Sequence, residues 1–114
     1  MKLYADTANI EEIENLFQLG AISGVTTNPS LIAKEPKGDF NKLILNLAEF
    51  CYHNELSLSV EVFETQFEKM LEEAKALIKT LEEYKKIIKI KIPVTKDGLA
   101  VIKVLKDNGI RTNA

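Results

Sequence analysis

The stretch IIKIKIPVTKDGLAVIKVLKDNGI, residues 87–110, changes its hydrophobic period once. Over residues 87–94 apolar and lysine positions alternate, with Ile88, Ile90 and Ile92 on one side and Lys89 and Lys91 on the other, the two-residue period of a strand. From Thr95 or Asp97 the period lengthens, and Leu99, Ile102 and Leu105 fall on one helical face. Asp107, Asn108 and Gly109 supply the stop, and residues 110–114 then read as the start of another strand. The segment is therefore a strand followed by a helix followed by a strand.

The same unit recurs upstream. Residues 2–6 read as a short strand, and Asn9 with Glu12 opens a helix whose inward stripe is Ile10, Ile13, Leu16 and Phe17, ending at Gly20. Residues 21–29 read as a strand running into polar residues, with Pro29 in the first turn of a short helix. Asp39 is expected to cap a helix to about Asn54, with Leu43, Ile44, Leu47 and Cys51 inward. Residues 56–63 alternate as a strand. Thr65 with Glu68 reads as a second capping box, ahead of a helix striped by Phe67, Met70, Leu71, Ala74, Leu77, Ile78 and Leu81. Four strand–helix units predict an α/β fold with a parallel sheet, either an open doubly wound sheet or part of a (β/α)8 barrel. No glycine-rich turn follows the first strand, as a dinucleotide-binding fold requires.

Composition bounds the function. The 114 residues suggest one α/β domain, 1–114, 46% hydrophobic and 28% charged. A net charge of −2, with 15 dispersed basic residues, argues against nucleic acid or an anionic membrane as a partner. No apolar run is long enough to cross a bilayer, and the N-terminus turns acidic too early for a signal peptide. Cys51 is the single cysteine, so no intrachain disulfide forms and a cytoplasmic location is expected. Nothing in the pattern suggests a metal site.

The chemistry gathers at the strand ends. Asp6 and Thr7 close the first strand, and Thr26, Thr27 and Asn28 the second. Glu61 lies late in the third and Lys91 late in the fourth. In α/β architectures that rim is where active sites form. A lysine there is a nucleophile toward a carbonyl if burial or a neighbouring cation lowers its pKa. Lys89 lies one strand repeat behind Lys91, roughly 6–7 Å away. Carboxylates at the rim can move protons as the carbonyl carbon changes state. Simpler roles compete: an exposed edge-strand lysine pair, caps at Asp6 and Asn28, a structural Glu61–lysine bridge, and threonines serving only as strand formers. His53 reads as a solvated helix end, and Cys51 as core.

Three motifs, LYADTAN, GVTTNPSLIAKE and KIPVTKDGLAVIKVLKDNGI, resemble the small transaldolases and the related fructose-6-phosphate aldolases, in order over all 114 residues. The resemblance implies the N-terminal half of a (β/α)8 TIM barrel and a class I aldolase mechanism without metal or organic cofactor. It implies that Lys91 forms a Schiff base with the ketose, that Asp6 is the acid/base at the C4 hydroxyl, and that Glu61 activates a catalytic water. Asn28 is similar to the residue that holds the dihydroxyacetone unit, and Thr26 to one lining the same pocket. Transaldolases carry glutamate at the position of Glu61 and the aldolases glutamine, which points to transaldolase. The expected partners are small phosphorylated sugars and further copies of the chain in a homo-oligomer.

Two departures accompany the resemblance. A complete barrel takes about twice this length, so the chain is expected to stop at the start of its fifth strand. The threonine, serine and phosphate-binding arginine of a second half would then be missing, as would the C-terminal helix of family oligomers. Such a half-barrel is expected to expose sheet edges and one side of its core. Lys89 is the second departure, since the family usually has an apolar residue or threonine there. Glu61 or Ser59 as its partner, or a role in lowering the Lys91 pKa, all fit the sequence.

Overall fold

The computed structural model describes residues 3–33 and 40–113. Five strands, β1 (Tyr4–Asp6), β2 (Gly24–Thr26), β3 (Ser57–Glu61), β4 (Ile88–Lys91) and β5 (Thr112–Asn113), alternate with five α-helices: α1 (Ile10–Gln18), α2 (Pro29–Ala33), α3 (Phe40–His53), α4 (Phe67–Thr80) and α5 (Lys96–Asp107). The sheet order is β1-β2-β3-β4-β5, and every neighbouring pair is parallel. A doubly wound sheet reverses direction part-way, so its helices cover both faces. Here each strand is added on the same side of its predecessor, and right-handed crossovers then place all helices on one face. This is the winding of a (β/α)8 barrel wall, as the motifs imply.

Burial follows that winding. Val25, Leu58, Val60, Ile88, Ile90 and Ile92 are buried beneath the helices, where they meet Ile13, Ile44, Leu47, Cys51, Met70, Ala74, Leu77, Val101 and Leu105. Each fully buried isoleucine of this set contributes about 1.5–3 kcal/mol. Burial pushes the Cys51 thiol up to about 12, so it stays protonated as part of the core. The opposite face carries Asp6, Thr26, Ser59, Glu61, Lys89 and Lys91. The side of the sheet that the helices leave uncovered thus carries mostly polar side chains among the described residues.

Local signals held unevenly. Asn9 caps α1 by accepting the Glu12 N–H at 3.0 Å, but the reciprocal arm of the box runs through Thr7, whose hydroxyl donates to Glu12 Oε2 at 2.9 Å and accepts the Asn9 N–H at 3.0 Å. The Thr65–Glu68 box does not form. Gln66 takes the N-cap position of α4 without a side-chain bond, and the Phe67 N–H donates instead to Asp97 Oδ2 on α5 at 3.2 Å. On α5, Leu99 is 55% exposed, while Gly98, Val101 and Leu105 face inward, because three- and four-residue steps from Gly98 fix the buried stripe. A 3-10 helix, Glu82–Ile87, fills the α4–β4 connection. The expected Asp39 cap lies outside the described residues.

Candidate active site

The parallel register sets the levels of the site. Asp6 pairs with Thr26, Thr26 with Ser59, and Ser59 with Lys89, forming one row across four strands. Two residues further along, Glu61 pairs with Lys91, and Lys91 with Asn113. Continuing the β2–β3 register from Thr26 and Ser59 brings Asn28 level with Glu61. The upper row is therefore Asn28, Glu61, Lys91 and Asn113, and the lower row is Asp6, Thr26, Ser59 and Lys89. Both rows lie on the uncovered side of the sheet, the upper one at its C-terminal edge.

Each candidate is placed by backbone elements. Lys91 closes β4, whose next residues, Ile92 and Pro93, lead into the Thr95 cap of α5; the Thr95 hydroxyl accepts the Gly98 N–H at 3.0 Å. Glu61 closes β3, and the loop behind it is held by Glu73, whose carboxylate accepts the Phe63 and Glu64 N–H groups at 2.8–2.9 Å. Asp6 is exposed at the end of β1 and accepts a 2.9 Å hydrogen bond from the Thr26 hydroxyl. Asn28 Oδ1 accepts the Leu31 N–H at 2.9 Å, so its side chain caps α2. Lys91, Glu61, Thr26 and Asn28 are half-buried.

All five residues singled out in the sequence stand on one rim, but not in one cluster. Glu61 and Lys91 are immediate cross-strand neighbours. Asp6 lies three strands from Lys91, about 14 Å measured along the sheet at about 4.8 Å per strand, and one row lower. A ligand spanning the uncovered face is needed to bring them into one reaction. Among the described residues, no hydrogen bond or ion pair joins Glu61 to either lysine, so the structural-bridge reading fails. The edge-strand reading fails too, because β4 lies between β3 and β5.

Asn113 was not singled out in the sequence, and Ser59 was named there only as a candidate partner of Lys89. Asn113, beside Lys91 in register, donates from Nδ2 to Ser59 Oγ at 3.0 Å, reaching over β4 between the two lysine rows. Ser59 had a readable signal, since it shares a face with Glu61 two residues on. Asn113 had none, because its level depends on how β5 pairs. Among the described residues, no group of three histidine, cysteine, aspartate or glutamate side chains is arranged to hold a metal ion.

The sheet thus carries a lysine and a carboxylate in register at its C-terminal edge. Comparison with known proteins supplies the family. The Transaldolase/Fructose-6-phosphate aldolase family matches residues 3–114, and the chain belongs to that family. It is similar to a probable transaldolase of Clostridium botulinum strain Hall, with 45% identity over 113 residues, covering 99% of this chain and 48% of the relative. Probable transaldolases of Desulfosudis oleivorans and Alkaliphilus metalliredigens share 48% and 47% identity over 113 residues, again 99% of this chain and 49% of each relative. The chain thus spans about half the length of the curated relatives it matches. No helix among the described residues is long and apolar enough to cross a membrane.

Proposed function

We propose that this chain carries the imine-forming part of a transaldolase site, moving a dihydroxyacetone unit from fructose 6-phosphate to erythrose 4-phosphate. The Lys91 amine attacks the ketose carbonyl, and loss of water leaves a Schiff base. Asp6 takes the proton of the C4 hydroxyl as the C3–C4 bond breaks, releasing glyceraldehyde 3-phosphate. The carbon nucleophile left on Lys91 adds to the erythrose 4-phosphate aldehyde, Asp6 returns the proton, and a water activated by Glu61 hydrolyses the imine to sedoheptulose 7-phosphate. Asn28 and Thr26 hold the dihydroxyacetone unit. The domain is a single α/β unit, 1–114, and the protein a cytoplasmic homo-oligomer.

The observation that carries this reading is the direct register pair Glu61–Lys91, which sets the two residues level on neighbouring strands. The same glutamate favours transfer over fructose 6-phosphate cleavage to free dihydroxyacetone, the aldolase alternative. Assays of both activities test this choice. Glu61→Gln is expected to raise cleavage relative to transfer, and an unchanged ratio contradicts the role given to Glu61. A second reading is favoured by the share of the relatives that the chain spans. On that reading the 114-residue chain alone keeps the rim residues but does not turn over. A coupled transaldolase assay separates the two.

A further inference from the structure

The family chemistry uses the C-terminal edge of the sheet and leaves Lys89 without a role. Its surroundings supply one. A cleft of about 390 Å³ opens at the other end of the strands, lined by Lys89 with Tyr4, Ser57, Lys86, Arg111 and Glu55 among others. Lys91 does not line it. Three cations thus face one carboxylate across a small volume, beside the hydroxyls of Tyr4 and Ser57.

The cleft is organised by backbone as well as charge. Gly24 lies between Tyr4 and Ser57 in register, and a Cβ there would come within 2.2 Å of Ser57 Oγ and 2.7 Å of the Tyr4 ring. Its missing side chain lets the two hydroxyl-bearing residues close over the same spot. The Arg111 guanidinium donates to the carbonyls of Lys85 and Lys86, which fixes it against the 3-10 helix. Both bonds run through one terminal nitrogen, so most of its five N–H donors stay available. Among the described residues, neither Lys86 nor Lys89 has a side-chain hydrogen bond or ion pair. Lys89 bonds neither Glu61 nor Ser59, and Ser59 accepts from Asn113.

Like charges gathered in a concave site repel one another and are relieved by a multivalent anion. A guanidinium fork, two ammonium groups and two hydroxyls match the acceptor oxygens of a phosphate group. We propose that this cleft, built around Lys89, Lys86 and Arg111, binds a small phosphate-bearing anion at a site separate from the rim that carries Lys91. This binding is independent of the aldol chemistry. A free phosphate ion and the phosphate of a sugar present the same chemistry to it.

Titration of the 114-residue chain with inorganic phosphate, followed by amide chemical shifts at ionic strength matched with chloride, tests the site. The expected result is saturable shifts at Gly24, Ser57 and Arg111. Lys89→Met and Lys86→Met should each weaken binding about tenfold, the loss of one charge-assisted contact. Lys86 is exposed, so its variant is informative even if Lys89→Met folds poorly. Lys91→Met should leave phosphate binding unchanged. Displacement of phosphate by fructose 6-phosphate in Lys91→Met identifies a sugar phosphate as ligand, and its absence identifies the free ion; both support the site. Shifts no larger than with chloride overturn it, as does binding that is lost in Lys91→Met but kept in Lys86→Met and Lys89→Met.

Discussion

Gly98→Ala separates two opposite expectations. Gly98 sits in the first turn of α5, and by helix propensity alone alanine there gains about 1 kcal/mol. The structure reverses the sign. A Cβ on Gly98 would lie 1.9 Å from the Pro93 carbonyl oxygen, and 3.1 Å from both the Pro93 carbonyl carbon and Thr95 Oγ1. The obstacle is backbone, so no side-chain rotation relieves it, and Pro93 must retreat by more than about 1 Å to reach ordinary contact. Overpacking of this kind costs about 1–3 kcal/mol, more when backbone must move. Set against the propensity gain, a net loss of about 2 kcal/mol is expected. At a urea slope of about 1.5 kcal/mol/M this lowers the unfolding midpoint by about 1.3 M. Pro93 lies two residues beyond Lys91, so the shift also disturbs the rim. Equilibrium urea unfolding followed by circular dichroism reads the effect. A midpoint equal to or above that of the unaltered chain refutes the close approach and the reasoning built on it.

Two further substitutions probe single polar atoms. Thr27 is fully buried, and its Oγ1 has no hydrogen-bond partner among the described residues; Thr27→Val keeps the shape and removes the unsatisfied hydroxyl, so it should stabilise by about 1 kcal/mol and raise the melting temperature by about 4 °C. A lower melting temperature means that the hydroxyl has a partner. Asp97→Ala removes the acceptor of the Phe67 N–H and should cost about 1–2 kcal/mol, with faster hydrogen exchange at Phe67. Unchanged exchange at that amide rules out the cap.

Most of the architecture was legible because it rests on local periodicity. The alternation of Ile88, Ile90 and Ile92 with Lys89 and Lys91 set which face of β4 meets the helices. Strand–helix alternation alone did not decide between a doubly wound sheet and a barrel wall, since both share the same units. The family motifs pointed to the barrel, and the strand order agrees. Misreadings came where a distant group replaced a local one. The Thr65–Glu68 pattern looked like a cap, yet Asp97, 30 residues away, does that work. Leu99 had the composition of a core residue, yet it is exposed, and Gly98 and Val101 are buried with the expected Leu105. The rim residues could be named from the strand ends. Their two levels could not, because register is a property of pairing between strands. Thus the sequence did not show that Lys91 has Glu61 beside it while Asp6 stands across the sheet.

The central claim is that Lys91 forms an imine with a ketose phosphate. Incubation with fructose 6-phosphate, reduction with borohydride and peptide mass spectrometry address it without requiring turnover. The account predicts one stable adduct, on the peptide carrying Lys91, that is lost in Lys91→Met and kept in Lys89→Met. An adduct on Lys89, or no adduct on a folded chain, contradicts it.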